Sequence, residues 1–146
     1  MKGLLCILVI ISFQSCKNKI ETDKTLGASD IKFIRSLGLL NDNENVIKFY
    51  SEYKKSVAGN FFTNKRISKY WIDERDATKN KICSAYYYEI KSIDTIYFAG
   101  STYCPYMLIT KTDNSEYKVC VEGTKQEIRN FFEEAISTWT KNRLIN

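Results

Sequence analysis

Seven short runs rich in aromatic and β-branched residues, followed by one amphipathic stretch, constrain the fold of this chain more than any other feature. The runs are Val46 to Tyr53, Ser56 to Thr63, Arg66 to Asp73, Lys81 to Tyr88, Ile90 to Tyr97, Tyr106 to Thr112 and Glu116 to Glu122. Their length and residue preference are those of β-strands. Asn64-Lys65 joins the second run to the third, and Asp113-Asn114-Ser115 joins the last two. Turn-favouring residues in such short connections suit antiparallel neighbours.

Two helices flank these strands. Ser29-Asp30 is read as a cap for a short helix with Ile31, Phe33, Ile34 and Leu37 largely on one face, ending near Gly38. After Gly123, Thr124 and Glu127 have capping-box spacing, and Ile128, Phe131, Phe132, Ala135, Ile136 and Trp139 recur at helical intervals. The last element is therefore an amphipathic helix over roughly Lys125 to Lys141.

Seven strands and a closing helix form the order of a pleckstrin-homology-like barrel, in which the helix plugs one open end of a curved sheet. The stretch Gly59-Asn60-Phe61-Phe62-Thr63-Asn64-Lys65-Arg66-Ile67 resembles the segment around a Thr-Asn-x-Arg turn in bacterial pleckstrin-homology and GRAM-like domains. Tyr88-Glu89-Ile90-Lys91-Ser92-Ile93 is similar to the strand that follows it there. The resemblance spans about residues 40–141 and implies a mainly β fold with α: a seven-stranded antiparallel barrel, a C-terminal helix and a short N-terminal helix. A different small β-rich sandwich or barrel is the rival architecture.

The amino terminus carries a different kind of signal. Lys2 precedes an apolar run from Gly3 to Ile11, which soon meets Ser12, Gln14, Ser15, Cys16 and Lys17. That run suits a signal-peptide core and is shorter than the roughly 20 residues of a spanning helix. Phe13-Gln14-Ser15-Cys16, a small residue directly before a cysteine with polar sequence after it, resembles a relaxed lipobox like those of Bacteroidetes lipoproteins. Gln14 and Phe13 depart from its commonest form. The resemblance implies cleavage before Cys16 and lipid attachment to it, with several acyl chains anchoring the protein stably. The expected organisation is a signal peptide over 1–15, a lipidated tether over 16–28 and one domain over 29–146. Cleavage leaves 131 of the 146 residues, enough for a single core.

Charge and residue inventory remove several functions. The formal charge is +5, but 22 basic and 17 acidic residues are interspersed, so no nucleic-acid partner is expected. Histidine is absent, which removes the usual general base and the Ser-His and Cys-His forms of catalysis. No phosphate loop, dinucleotide fingerprint or calcium loop occurs, and neither cofactor nor metal is expected.

Asp73, Glu74, Asp76, Glu89 and Asp94 are the carboxylates available for acid–base work, yet they stand beside Arg75, Lys79 and Lys91 as strand-end charges would. Tyr86-Tyr87-Tyr88, with Tyr50, Tyr53, Tyr70, Tyr97, Tyr103, Tyr106 and Tyr117, offers an aromatic platform, but alternation along a strand sends Tyr87 opposite to its neighbours, and core plus amphipathic rim accounts better for the set. Lys54-Lys55 lies where eukaryotic pleckstrin-homology domains place headgroup-binding bases. The run Lys65-Arg66-x-x-Lys69 does not reproduce their basic motif, and no ligand residues are assigned. Among Cys83, Cys104 and Cys120 an exported protein can form one disulfide, most readily through Cys104.

These observations lead to one expectation: a non-enzymatic envelope lipoprotein held to the membrane through Cys16 and acting as a binding or assembly module for another envelope protein. A periplasmic inhibitor or immunity lipoprotein is the alternative. A hydrolase working with carboxylates alone is the third reading.

Overall fold

The computed structural model describes residues 19–144. The segment read as a signal peptide and the lipid-attachment residue Cys16 lie outside the described residues. Helix α1 spans Ala28–Ser36, strands β1 to β7 span Val46–Tyr50, Ala58–Thr63, Arg66–Trp71, Lys81–Tyr86, Ile90–Ile96, Tyr106–Lys111 and Glu116–Cys120, and helix α2 spans Lys125–Asn142.

All seven expected strands form, and six begin at the expected residue, but each except β2 stops one to three residues early. The ends are drawn into turns by local bonds. Ser51 Oγ donates to the Ala58 carbonyl at 2.7 Å, which curls the chain after Tyr50. Tyr87–Glu89 forms a 3-10 turn, with Glu89 Oε2 accepting from the Tyr86 N–H at 2.8 Å, so β4 stops before Tyr87.

The strands form two antiparallel sheets, β1-β2-β3-β4 and β5-β6-β7, rather than the single closed barrel expected. The 3-10 turn separates β4 from β5, and among the described residues no ladder joins the sheets. Side chains close the seam instead. Asn60 Oδ1 accepts from the Cys120 N–H at 3.0 Å, Tyr50 Oη donates to Glu122 Oε2 at 3.1 Å, and Tyr117 Oη donates to the Ile67 carbonyl at 2.7 Å.

Two hydrophobic cores result. Phe62, Ile67, Ala85, Met107, Ile109, Val119, Phe131 and Phe132 pack between the sheets and α2, with Phe62 edge-on to Phe131 at 5.1 Å. On the other face of the first sheet, Phe49, Phe61 and Tyr70 pack against Leu26, Ile34, Leu39 and Leu40. Because the sheet is covered on both sides, every residue of β2 is buried, and alternation sends Phe61 into one core and Phe62 into the other.

The amino-terminal region departs most from expectation. Asp30 sits in the first turn of α1 and accepts from the Gly27 N–H at 3.2 Å, so the helix starts before the cap read at Ser29-Asp30. The tether expected over 16–28 does not extend through the described part. Glu21 and Phe49 exchange two backbone hydrogen bonds of 2.8 Å in an antiparallel bridge, and Leu26 is buried. Ile20 packs on the first core. A mostly polar stretch thus adds a short strand piece to the β1 edge, since two apolar side chains and paired backbone suffice to dock it.

At the far end the sequence reading holds within one residue. Thr124 Oγ1 accepts from the Glu127 N–H at 3.2 Å while Glu127 Oε2 accepts from the Thr124 N–H at 2.7 Å, forming the reciprocal cap of α2.

Candidate functional site

Trp71 ends β3 with its side chain 40% exposed, between the β1–β2 and β3–β4 connections. On one side lies a groove of about 510 Å³ lined by Glu52, Lys69, Trp71, Asp73, Lys79 and Lys81. On the other, a shallower one of about 250 Å³ adds Tyr53, Val57, Ile72, Glu74 and Arg75. Lys69 and Trp71 are two apart on one strand and so share a face, with Lys81 opposite Trp71 in the register. This end of the sheet therefore offers an amphipathic rim: two exposed aromatics, Tyr53 and Trp71, set among bases and carboxylates.

Two carboxylates of this rim, Asp73 and Asp76, are occupied by their own loop, while Glu52 accepts from the Asn60 side-chain amide at 2.6 Å. Asp73 Oδ1 accepts from the N–H groups of Arg75 and Asp76 at 2.9 and 3.0 Å. Asp76 Oδ1 accepts from the Thr78 hydroxyl at 2.6 Å and from its N–H at 3.1 Å, and those bonds hold the Asp76 carboxyl below its usual range. A carboxylate so held stays ionised and is a poor proton donor. Glu89 accepts from the Tyr86 N–H, at a different turn, and Asp94 is exposed in β5. The five carboxylates do not converge, and among the described residues no cluster of three Cys, Asp or Glu is placed to hold a metal ion.

The basic residues also separate into roles. Lys55 bridges Glu21 and Asp30 at 3.0 and 2.7 Å; burial alone would lower its amine, but these partners raise it. Lys54 is exposed beside Tyr53, 5.5 Å from the ring centroid. Arg66 is buried, donating Nε to Glu44 Oε1 at 2.8 Å, Nη2 to Glu44 Oε2 at 2.7 Å and Nη1 to the Gly38 carbonyl at 3.2 Å. Thr63 Oγ1 adds a 2.6 Å bond to Glu44. Burial by itself would raise the Glu44 carboxyl, yet the bonds from Arg66, Thr63 and the Asn41 N–H leave it below its ordinary value. The Thr-Asn-x-Arg turn is thus an internal clasp whose charge is spent within the fold.

Tyr87 is buried and donates to the Thr63 carbonyl, while Tyr86 and Tyr88 stack outside it with centroids 5.7 Å apart. Burial raises the phenols of Tyr70 and Tyr87 far above their usual value. The inward turn of Tyr87 was legible from alternation, although a 3-10 turn rather than continued strand produces it.

A second exposed aromatic feature groups two of the candidate platform tyrosines, Tyr97 and Tyr103, with Phe98, for which the sequence offers no signal. The connection between β5 and β6 shows Tyr97, Phe98 and Tyr103 to solvent, Phe98 being 84% exposed. Cys104 at its end is joined to Cys120 of β7, and Tyr97 leans on Phe132 of α2 at 5.4 Å. Lys118 lies over the rings of Tyr103 and Tyr106 at 4.8 and 4.5 Å. Cys83 remains a free, half-buried thiol.

No protein-family model matches the chain, and no curated protein matches it. Among solved structures it is similar to a DUF1696 family protein with a pleckstrin-homology domain from Shewanella loihica PV-4. The TM-score is 0.51 at 14% identity, covering 88% of this chain and 100% of that one. Together with the two sheets and closing helix, this likeness shows a pleckstrin-homology-like fold.

Proposed function

We propose that this chain is a bacterial envelope lipoprotein, anchored through lipid on Cys16, whose pleckstrin-homology-like domain binds another envelope protein without catalysing a reaction. The observation that carries the binding role is Phe98. Phe98 is 84% exposed and stands with the exposed Tyr97 and Tyr103 on a connection joined at its end to β7 by the Cys104–Cys120 bond, and together they present an apolar patch that a partner can cover. The disulfide also supports export, because such bonds persist in oxidising compartments. Catalysis finds little support in carboxylates that bond their own turns.

The test is affinity purification of the full chain from detergent-solubilised membranes beside the Phe98→Ser variant. The expected result is one envelope protein retained in fixed ratio by the parent chain and lost with Phe98→Ser, whose melting curve stays unchanged. Equal retention by both would overturn the assignment of the contact to Phe98. A retained enzyme whose activity falls on binding would favour the inhibitor reading.

A further inference from the structure

Resting on the lipid anchor proposed above, we propose that this protein is held with its Tyr53–Trp71 end against the bilayer, those two side chains seated at the membrane interface. The argument starts from the direction of the amino-terminal segment. Glu21 pairs antiparallel with Phe49, and the Asp23 N–H donates to the Val46 carbonyl at 3.1 Å. Going backward from Asp23 to Glu21, the segment therefore advances along β1 from Val46 to Phe49 and on toward Tyr50 and Ser51. The first described residues, Lys19 and Ile20, thus head toward the β1–β2 connection, which contains Tyr53 and Lys54.

Length does the rest. Ile20 is docked on the core, so only residues 17, 18 and 19 separate it from Cys16. Four residue steps, fully extended, reach about 14 Å. A domain of this size is about 35 Å across. The leash is too short for the domain to turn its opposite pole to the lipid surface, and membrane contact is confined to the end of the domain toward which Ile20 and Lys19 run.

That region has matching chemistry. Tyr53 is 56% and Trp71 40% exposed, and tyrosine and tryptophan favour the boundary between headgroups and acyl chains. Lys54 and Lys81 are exposed around them and can meet anionic headgroups, while Lys79, also exposed, is paired with Asp76 at 3.4 Å. The nearby acids Glu52, Asp73, Glu74 and Asp76 keep the rim from being strongly basic, so the occupant is the interface itself rather than one headgroup in a pocket.

The protein's two tryptophans provide an internal ruler. Trp139 Nε1 donates to the Tyr87 carbonyl, and the Tyr87 N–H donates to the Lys65 carbonyl beside the start of β3, whereas Trp71 is its last residue. The five steps of β3 between those ends span roughly 17 Å.

The lipidated chain purified from membranes is placed in phosphatidylethanolamine–phosphatidylglycerol vesicles brominated on acyl carbons just below the headgroups. Fatty-acid labelling is measured in the same samples. Trp139→Phe, which reports Trp71, should lose most of its emission relative to unbrominated vesicles, and Trp71→Phe, which reports Trp139, should keep it. Should Trp139→Phe fold poorly, the difference between the parent chain and Trp71→Phe reads the same quantity. A labelled, vesicle-bound protein with Trp71 emission unchanged, or with Trp139 quenched instead, overturns the orientation while leaving the anchor standing. A chain that takes up no label overturns the anchor and the orientation with it.

Discussion

Arg66 and Glu44 form a buried two-pronged ion pair, 2.8 and 2.7 Å across its two bonds, that ties the β2–β3 hairpin to the loop ahead of β1. Thr63 and the Asn41 N–H satisfy Glu44 further, and the Tyr86 ring covers the guanidinium at 4.4 Å. Removing one partner strands a buried charge, at about 3–5 kcal/mol, whereas replacing both with apolar groups is far milder. Glu44→Ala should therefore lower the denaturation midpoint more than the double variant Glu44→Leu/Arg66→Met. Equal losses for the two would show that the pair is not acting as a coupled unit.

The same pair sets an acid limit. Glu44 is held below its ordinary value of 4.5, so its contribution to stability is fully present above that pH and is lost as pH falls through the folded-state value. Melting temperature should stay level with respect to this group from pH 7 to about 5 and fall below about 4.5. The double variant, which lacks the carboxylate, should show a shallower decline. Parallel profiles for the two proteins would assign the acid sensitivity elsewhere.

Gly59 is a packing requirement of β2. A methyl group there would run into Tyr70 Cε1 and meet its Cζ at 2.5 Å and Phe49 Cε2 at 2.8 Å, all ring atoms of the core under α1. Gly59→Ala should destabilise the domain by about 1–3 kcal/mol through overpacking, despite the higher strand preference of alanine. Urea unfolding monitored by circular dichroism measures this. A neutral effect would mean that both rings can move aside freely.

The Cys104–Cys120 bond closes a sequence separation of 16 residues between the β5–β6 connection and β7. A loop of that size predicts a loss of about 3 kcal/mol when both cysteines become serine. The reducing agent dithiothreitol should lower the melting temperature of the parent chain and leave the double-serine chain unmoved. A parent chain indifferent to reduction would place this bond outside the stability of the fold.

Six strand starts were legible because a β-branched or aromatic pattern sets in there, β2 starting two residues late at Ala58, whereas strand ends such as those of β1 and β4 depend on Ser51 reaching Ala58 and Glu89 reaching Tyr86. The helix α2 was legible in full, since its cap and its stripe are both local. The docking of Glu21 on Phe49 was not, because a polar segment carries no periodicity and its bonds are to backbone 28 residues away. Glu44 escaped notice for the same reason: its partner Arg66 lies 22 residues on. The loop position of Cys104 marks it for a disulfide, but its choice of Cys120 over Cys83 is set by the β6–β7 register, which places Cys120 opposite Tyr106. The exposed rim around Trp71 required two separate connections to meet in space.

Trp139 tests how α2 closes the fold. The helical stripe places it with Phe131, Phe132 and Ala135, and the structure packs it against the first core, yet it is half-buried rather than enclosed. Its indole N–H donates to the Tyr87 carbonyl at 3.2 Å, and Arg143 lies over the ring at 5.3 Å. A fully buried tryptophan truncated to alanine loses about 3–5 kcal/mol; partial exposure brings the expectation for Trp139→Ala to about 2 kcal/mol. Trp139→Phe keeps most of the apolar contact but leaves the carbonyl without its indole donor, a loss of about 1 kcal/mol. Thermal unfolding of the two variants should therefore rank parent above phenylalanine above alanine. If phenylalanine matched the parent chain, the bond to Tyr87 would be dispensable and packing alone would hold α2 on the turn. If alanine matched it as well, the last turns of α2 would contribute nothing to closure, and the helix would be held by Ile128, Phe131, Phe132 and Ala135 with the Lys48–Glu134 ion pair.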